Sequence, residues 1–588
     1  MTATRRARGA DWVWHCLLAV AVLACGGPRV TPDDLVAAPG KRAEGPAGMV
    51  AASTPEAAAA GAEILRRGGN ATDAAVAVAF ALSVTDISQT GLGGGGVLIA
   101  YDARARRAQH LQFYPRTGAD ARWADTLSEG AQAPAGRAAG VPGMVAGLLE
   151  AHARFGRLPR EAVMAPAIRL ASDGFVVTPL LSRTISSARR RLESDPAATA
   201  LLLPDGEPLR PGDRLVQPML ASTLSAIASN GPTAFYSGGV AVRLAEKVQA
   251  AGGLIAAADL AEYRVTDVPP LCGEWRGLTV LAPPPPMGGA PLLAMLQLAE
   301  AMGVTASTGL SRAPAAVAGL TDAIRAVQSD ARWWRGDPDV MAVPALGFAS
   351  AAYARDRMRV AAGPVADTMA IGDPWPYETT QAAGSCAAYP RAAAVRGTSD
   401  LPGSGESADA TSLTSHLAVV DAEGNAVSAT TTVGVLFGSG VYTDGFFLNS
   451  SAGNLDDRTR GPRRVANSTI APALLLDGAG VRLVIGAAGS QYIQPAITQV
   501  TLRVLAFGED PFRAISAPRI QPNHLRRDVE VEPGFDPDVY AALVTRGYRP
   551  LSRTADIQFG GVHAILVRPD GRRIGVADPR RDGIAVRQ

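Results

Sequence analysis

Thr414 opens a stretch that can fold in few ways. Residues 414–421 read TSHLAVVD, residues 426–432 read AVSATTT, and Ala422-Glu423-Gly424-Asn425 joins them. Two β-prone runs around a short loop containing glycine predict a hairpin. Gly424 suits the left-handed position of a three-residue turn between Asp421 and Asn425. Counting outward from that turn pairs Thr414 with Thr432. Directly opposed residues share one face of a sheet, with Cβ atoms about 4.5–5.5 Å apart. Just upstream, Gly397 to Ala410 reads GTSDLPGSGESADA, a polar Gly/Ser/Pro-rich stretch that cannot build a core. A cleavable tail is therefore expected to run straight into a buried strand that begins with threonine.

An N-terminal-threonine hydrolase needs that arrangement. The threonine hydroxyl attacks the peptide bond before it, and the freed α-amine then serves as base for the same hydroxyl. A second hydroxyl at Thr432 would orient the first. The plain alternative is a Thr-rich strand pair, since threonine is a common strand former.

Around these residues the chain resembles the γ-glutamyltranspeptidase (glutathione hydrolase) family. The resemblance rests on Thr414-Ser415-His416, Val419-Val420-Asp421, Gly424-Asn425-Ala426-Val427-Ser428 and Phe437-Gly438-Ser439-Gly440. Further blocks follow in family order: Gly68 to Ala75, Gly91 to Gly96, Val141-Pro142-Gly143, Pro283 to Gly289 and Gly336-Asp337-Pro338. It extends from about residue 45 to the end. It implies an α+β fold, the four-layer α-β-β-α sandwich of N-terminal nucleophile hydrolases. It also implies a precursor divided at Leu413–Thr414 into a large subunit, 26–413, and a small subunit, 414–588, forming one interwoven heterodimer.

Composition agrees with a large globular enzyme. The 588 residues are 47% hydrophobic and 19% charged, with net charge +2, so no strongly charged partner is implied. No basic stripe with interleaved aromatics argues for nucleic acid. No Cys/His cluster has metal-ligand spacing and no glycine-rich nucleotide loop is convincing, so neither metal nor cofactor is expected. Residues 54–84 read as two helices broken at Gly68-Gly69, Val97–Tyr101 as a buried strand, and 140–265 as mainly helical. From Thr414 onward the pattern turns strand-rich.

At the amino terminus, Arg5, Arg6 and Arg8 precede an apolar run from Trp12 to Ala24, too short for a comfortable span. Leu23-Ala24-Cys25-Gly26 resembles a bacterial lipoprotein signal, with residues 1–25 as leader and Cys25 as the lipidated residue; a plain secretory signal is the alternative. The expected location is extracytoplasmic, periplasm or cell surface, with a lipid anchor to a membrane. Cys272 and Cys386 remain, and nothing in their spacing shows whether they pair.

The resemblance also assigns a site. Thr414 is carried over as nucleophile, and Thr432 as the hydroxyl beside it. Backbone amides of Gly489 and Ser490 would face the developing oxyanion. Serine stands there in place of a second glycine, and a special backbone angle is harder for it to hold. Ser468 and Thr469 align with a pair of pocket serines. Other positions depart from the family. An arginine that would fork onto a substrate carboxylate is replaced by Tyr114, with Arg116 able to serve only if the backbone shifts. The carboxylate expected for a substrate ammonium is Asn454 in an ungapped reading, or Asp457 with a small insertion. Gly434 stands where the family usually has a substrate-contacting asparagine, and Arg458 to Arg464 is too short for a long lid. Three changed anchors suggest altered acyl specificity.

Three readings follow. The first is a γ-glutamyltransferase that hydrolyses glutathione or passes the glutamyl group to an amino acid, peptide or water. The second is an amidase or acylase of the same fold for another acyl group, such as a dicarboxylic monoamide. The third is a non-catalytic surface lipoprotein that keeps the fold for binding.

Overall fold

A computed structural model describes residues 40–124, 135–305, 309–380, 384–396, 412–455, 458–554 and 556–588. The leader with Cys25, the 397–410 tail and Asp457 lie outside the described residues.

The hairpin forms the centre of the molecule. Its strands are Ser412–Val420 and Ala426–Val435, and Gly424 sits at φ +88° in the turn. The Asp421 carboxylate closes that turn. Its Oδ1 accepts from the amides of Glu423 and Asn425, at 2.9 and 3.0 Å. Its Oδ2 accepts from the Ala71 amide at 2.9 Å. Turn and helix start are thereby tied together. The register runs from Val420 opposite Ala426 to Ser415 opposite Thr431, as counting from the turn requires. It then shifts. Leu413 faces Gly434, so Thr432 and Val433 together lie opposite Thr414 in a β-bulge.

These strands are central in a seven-stranded sheet. Its order is Ile584–Arg587, Met49–Ala52, Ser412–Val420, Ala426–Val435, Gly95–Asp102, Arg107–Gln112, Thr266–Asp267. A second seven-stranded sheet is ordered Arg42–Gly45, Arg573–Ala577, Gly561–Val567, Gly480–Ala488, Ala473–Asp477, Leu278–Ala282, Leu271–Trp275. The two sheets face each other. Ala418, Val420, Met49, Ile99, Leu474, Val484 and Ile565 form the apolar layer between them.

Helices cover the outer faces. Asn70 and Asp73 form a capping box at the start of the Ala71–Thr85 helix, whose every residue is buried against the first sheet. A helix apolar all round belongs inside a protein. Gly289–Ala301 and Ile493–Thr501 pack on the second sheet. The layers run α-β-β-α, and the α+β class holds. The expected helices at 54–84 are Pro55–Arg66 and Ala71–Thr85, broken where Gly68 takes φ +89°. Cys272 and Cys386 form a disulfide between residues 114 apart in sequence.

Candidate active site

Alternation along Ser412–Val420 sends successive side chains to opposite faces. His416 and Ala418 face the second sheet, whereas Ser415 and Leu417 face the helical layer. The His416 ring fills the space over Gly486 and stacks on His563, with centroids 6.4 Å apart. By the same alternation Thr414 lies on the side of His416, toward the second sheet. Thr414 and Thr432 are both 2% exposed.

Thr432 is hydrogen-bonded to the residue before Thr414. Its Oγ1 donates to the Leu413 carbonyl oxygen at 2.8 Å and accepts from the Gly434 amide at 2.7 Å. Gly94 allows the neighbouring strand to come this close. A Cβ there would lie 2.3 Å from the Thr432 carbonyl oxygen. The Gly93–Gly96 run thus serves close backbone approach.

Gly489 and Ser490 follow the Gly480–Ala488 strand, and the Ser490–Tyr492 turn contacts the Ser412–Val420 strand. Gly489 takes φ +126°, and Ser490 itself takes φ +52°. The serine therefore holds the left-handed angle that a glycine would find easier.

Tyr114 is buried, and its phenol is flanked by Ser468, Ser451 and Asn454, with Arg335 as a nearby positive charge. Burial raises its pKa, and hydrogen bonding from these side chains partly offsets the rise. The buried Ser451 Oγ meets no partner at full hydrogen-bond geometry. Ser468 is anchored by its amide on the Pro286 carbonyl at 3.1 Å. Thr469 is half-buried, and its carbonyl accepts from Gln494 Nε2 at 2.8 Å.

Arg116 stands apart from this cluster in its bonds. Its guanidinium donates to Thr266 Oγ1 at 2.5 Å, lies 3.8 Å from Asp339, and lines a cleft with Asp259, Glu262 and Arg463. Gly434 takes φ +93°, and a Cβ on it would fall 2.2 Å from Ser450 Oγ. The Ser450 hydroxyl thus fills the room that a side chain at 434 would need.

Sequence reading missed Ser451, Ser450 and Arg335. Ser450 and Ser451 sit in the same run as Asn454, and Arg335 directly precedes Gly336-Asp337-Pro338. Their positions were visible, but their approach to Tyr114 or Gly434 was not.

The family model for gamma-glutamyltranspeptidase matches residues 57–587. The chain belongs to the γ-glutamyltranspeptidase family. Among relatives, it is 35% identical over 566 residues to the acylase ACY 1 proenzyme of Pseudomonas sp. (strain SE83), covering 93% of this chain and 94% of that protein. It is 32% identical to the glutathione hydrolase proenzyme of Bacillus subtilis (strain 168), covering 92% and 91%. The fold matches the crystal structure of cephalosporin acylase from Bacillus halodurans with TM-score 0.81 and 26% identity, over 95% of this chain and 98% of that one. This γ-glutamyltranspeptidase-family chain is thus an enzyme of the glutathione hydrolase and acylase type, with the N-terminal nucleophile hydrolase fold.

Proposed function

We propose that this chain is an autoprocessed amide acyltransferase and hydrolase whose acyl site favours a dicarboxylic monoacyl group over γ-glutamyl. The observation that carries the proposal is that uncharged side chains, Ser451, Asn454 and Ser468, hydrogen-bond around Tyr114, with Arg335 as a positive charge nearby. A γ-glutamyl group brings an ammonium that asks for a carboxylate partner. Asn454 offers an amide instead. A glutaryl-type group brings only its distal carboxylate, and Arg335 is a positive charge near Tyr114 that would favour it.

In this mechanism Thr414 Oγ attacks the Leu413 carbonyl carbon while the Thr432 hydroxyl holds the carbonyl oxygen. The C–N bond breaks, leaving an ester on Thr414 and a free α-amine. Water hydrolyses the ester, releasing the Leu413 carboxylate. Subunits 26–413 and 414–588 then remain packed through the shared sheet. In turnover the amine takes the hydroxyl proton, Thr414 Oγ forms an ester with the substrate acyl group, and the leaving amine departs protonated. Amides of Gly489 and Ser490 hold the oxyanion, and water or an acceptor amine resolves the ester. Thr469 borders the acyl site, and Asp457 is an additional candidate there.

Export is part of the reading. The Cys272–Cys386 disulfide suits an oxidising compartment. Among the described residues no helix is long and apolar enough to cross a membrane. The leader would hand Cys25 to a lipid anchor.

Turnover of glutaryl and γ-glutamyl anilides tests the acyl preference. The expected result is kcat/KM for glutaryl higher by about tenfold or more. A clear γ-glutamyl preference overturns it.

A further inference from the structure

The far side of the nucleophile strand carries a buried carboxylate that the mechanism above does not use. Ser415 points away from Thr414 toward the helical layer, where its Oγ donates to Asp86 Oδ2 at 2.5 Å. Asp86 is the C-cap that follows the Ala71–Thr85 helix and is 6% exposed. Its other oxygen accepts from Gln89 Nε2 at 2.7 Å. Gln89 has no freedom to turn over, because Arg581 donates to its Oε1.

The same short segment grips the partner strand on both sides of Thr432. Thr90 Oγ1 donates to Thr431 Oγ1 at 2.9 Å, and the Gln89 and Ser88 carbonyls accept from the amides of Val433 and Phe437 at 3.0 and 2.8 Å. Residues 86–90 are therefore a platform under the bulge that holds Thr414 and Thr432. Asp86 is its only contact to the nucleophile strand among these bonds.

We propose that Asp86 is a positioning residue for Thr414, acting through the Ser415 hydroxyl to fix the first turn of the nucleophile strand against its helix. This rests on the reading of Thr414 as nucleophile. An ionised carboxylate accepts from Ser415 and Gln89 together, whereas an amide can accept at only one atom. Once Leu413–Thr414 is cut, Thr414 loses its covalent tether on one side. The Ser415–Asp86 bond is then the nearest side-chain restraint on its backbone.

The platform also faces a small cavity of about 20 Å³ lined both by polar groups, among them Ser53, Thr54, Glu56 and Arg581, and by Phe175 and Leu181. The charged groups around Asp86 are Arg581 and Asp582 from the C-terminal segment and Glu56 from the Pro55–Arg66 helix. Burial pushes the Asp86 carboxyl up to about 6, with the Ser415 hydrogen bond and Arg581 limiting the rise. Acid therefore removes the carboxylate form, and with it one acceptor.

Asp86→Asn and Ser415→Ala test this on the full chain, read by cleavage rate, kcat, KM and melting temperature across pH 5–9. The expected result is slower cleavage and kcat lower by about tenfold or more with little change in KM. Asp86→Asn should melt within about 3 °C of wild type at pH 8. Wild-type kcat should fall more steeply below about pH 6, where the Asp86 carboxyl protonates as well as the Thr414 α-amine, and in Asp86→Asn it should return to the single-proton slope of the amine. A variant with wild-type kcat and acid limb overturns the proposal, as does a loss of kcat that only follows lost stability. If Asp86→Asn does not fold, Ser415→Ala carries the test by the same outcomes. Thr414→Ala tests the nucleophile separately: cleavage persisting there would sink that reading, whereas an unchanged Asp86→Asn sinks only this one.

Discussion

The Thr432 hydroxyl donates to the carbonyl oxygen of Leu413, 2.8 Å away, and in the proposed mechanism this bond polarises the carbonyl that Thr414 attacks. The Gly434 amide, 2.7 Å from Thr432 Oγ1, fixes the direction of that donation. One side chain can thus serve twice, first at the Leu413 carbonyl and later beside the free Thr414 hydroxyl.

Thr432→Val should keep the fold, since it preserves shape, but slow cleavage by about 10²-fold or more, in the range for loss of an oxyanion donor. Thr432→Ser should retain most of the rate. Gel-resolved cleavage kinetics at neutral pH check both. Equal rates for Val and wild type would remove Thr432 from the chemistry.

Restoring a charge at Asn454 should restore ammonium recognition. Asn454→Asp is expected to raise kcat/KM for a γ-glutamyl anilide by about tenfold and lower it for a glutaryl anilide, in line with a charge-assisted bond of about 1.5–3 kcal/mol. Parallel kcat/KM measurements on the two anilides check this. Unchanged ratios would mean that Asn454 does not face the acyl group.

Gly489→Ala should damage both stability and processing. The residue sits at φ +126°, and an added Cβ would fall 2.9 Å from the Gln558 carbonyl oxygen and from Gly560 Cα. Strain of about 1–3 kcal/mol is expected, with loss of activity from the displaced amides. Thermal melts and residual turnover measure the two effects.

Acid should destabilise the sandwich through its buried histidines. Burial holds His563 at about 3 and His416 well below the ordinary 6.5, with the stacked His563 ring lowering His416 further. The unfolded chain therefore binds more protons below pH 6.5. Stability is full above 6.5 and falls as pH drops toward 3, by up to about 1.4 kcal/mol per pH unit for each histidine. Asp86, held up to about 6, and the raised carboxyls of Glu56, Asp322, Asp330, Asp337 and Glu378 act in the opposite sense only at the acid end, whereas His110 and His524, both held at about 4, add to the loss. A melting temperature that stays flat from pH 7 to 4.5 would contradict neutral burial of the pair.

What was legible in the sequence was local. Gly424 and Asp421 marked the turn, and two-residue alternation from it put Thr414 and Thr432 on one face. The Leu413–Ser415 bulge was not legible, because it depends on the neighbouring Gly95–Asp102 strand and the 86–90 platform. Met49–Ala52 and Leu271–Trp275 were not anticipated as strands. They are short and lack a clean polar alternation, being buried by sheet and helix partners from distant parts of the chain. Tyr114 and Asn454 were visible as replaced anchors. Their meeting with Ser451 and Ser468 required the fold to bring three separate loops together.

Intact mass of the purified protein lacking its leader, measured beside Thr414→Ala, tests the central claim most directly. The expected result is two pieces for wild type, the second beginning at Thr414, and one uncut chain for the variant. A folded wild type that stays whole would contradict the account, because the α-amine on which its catalysis depends would never be released.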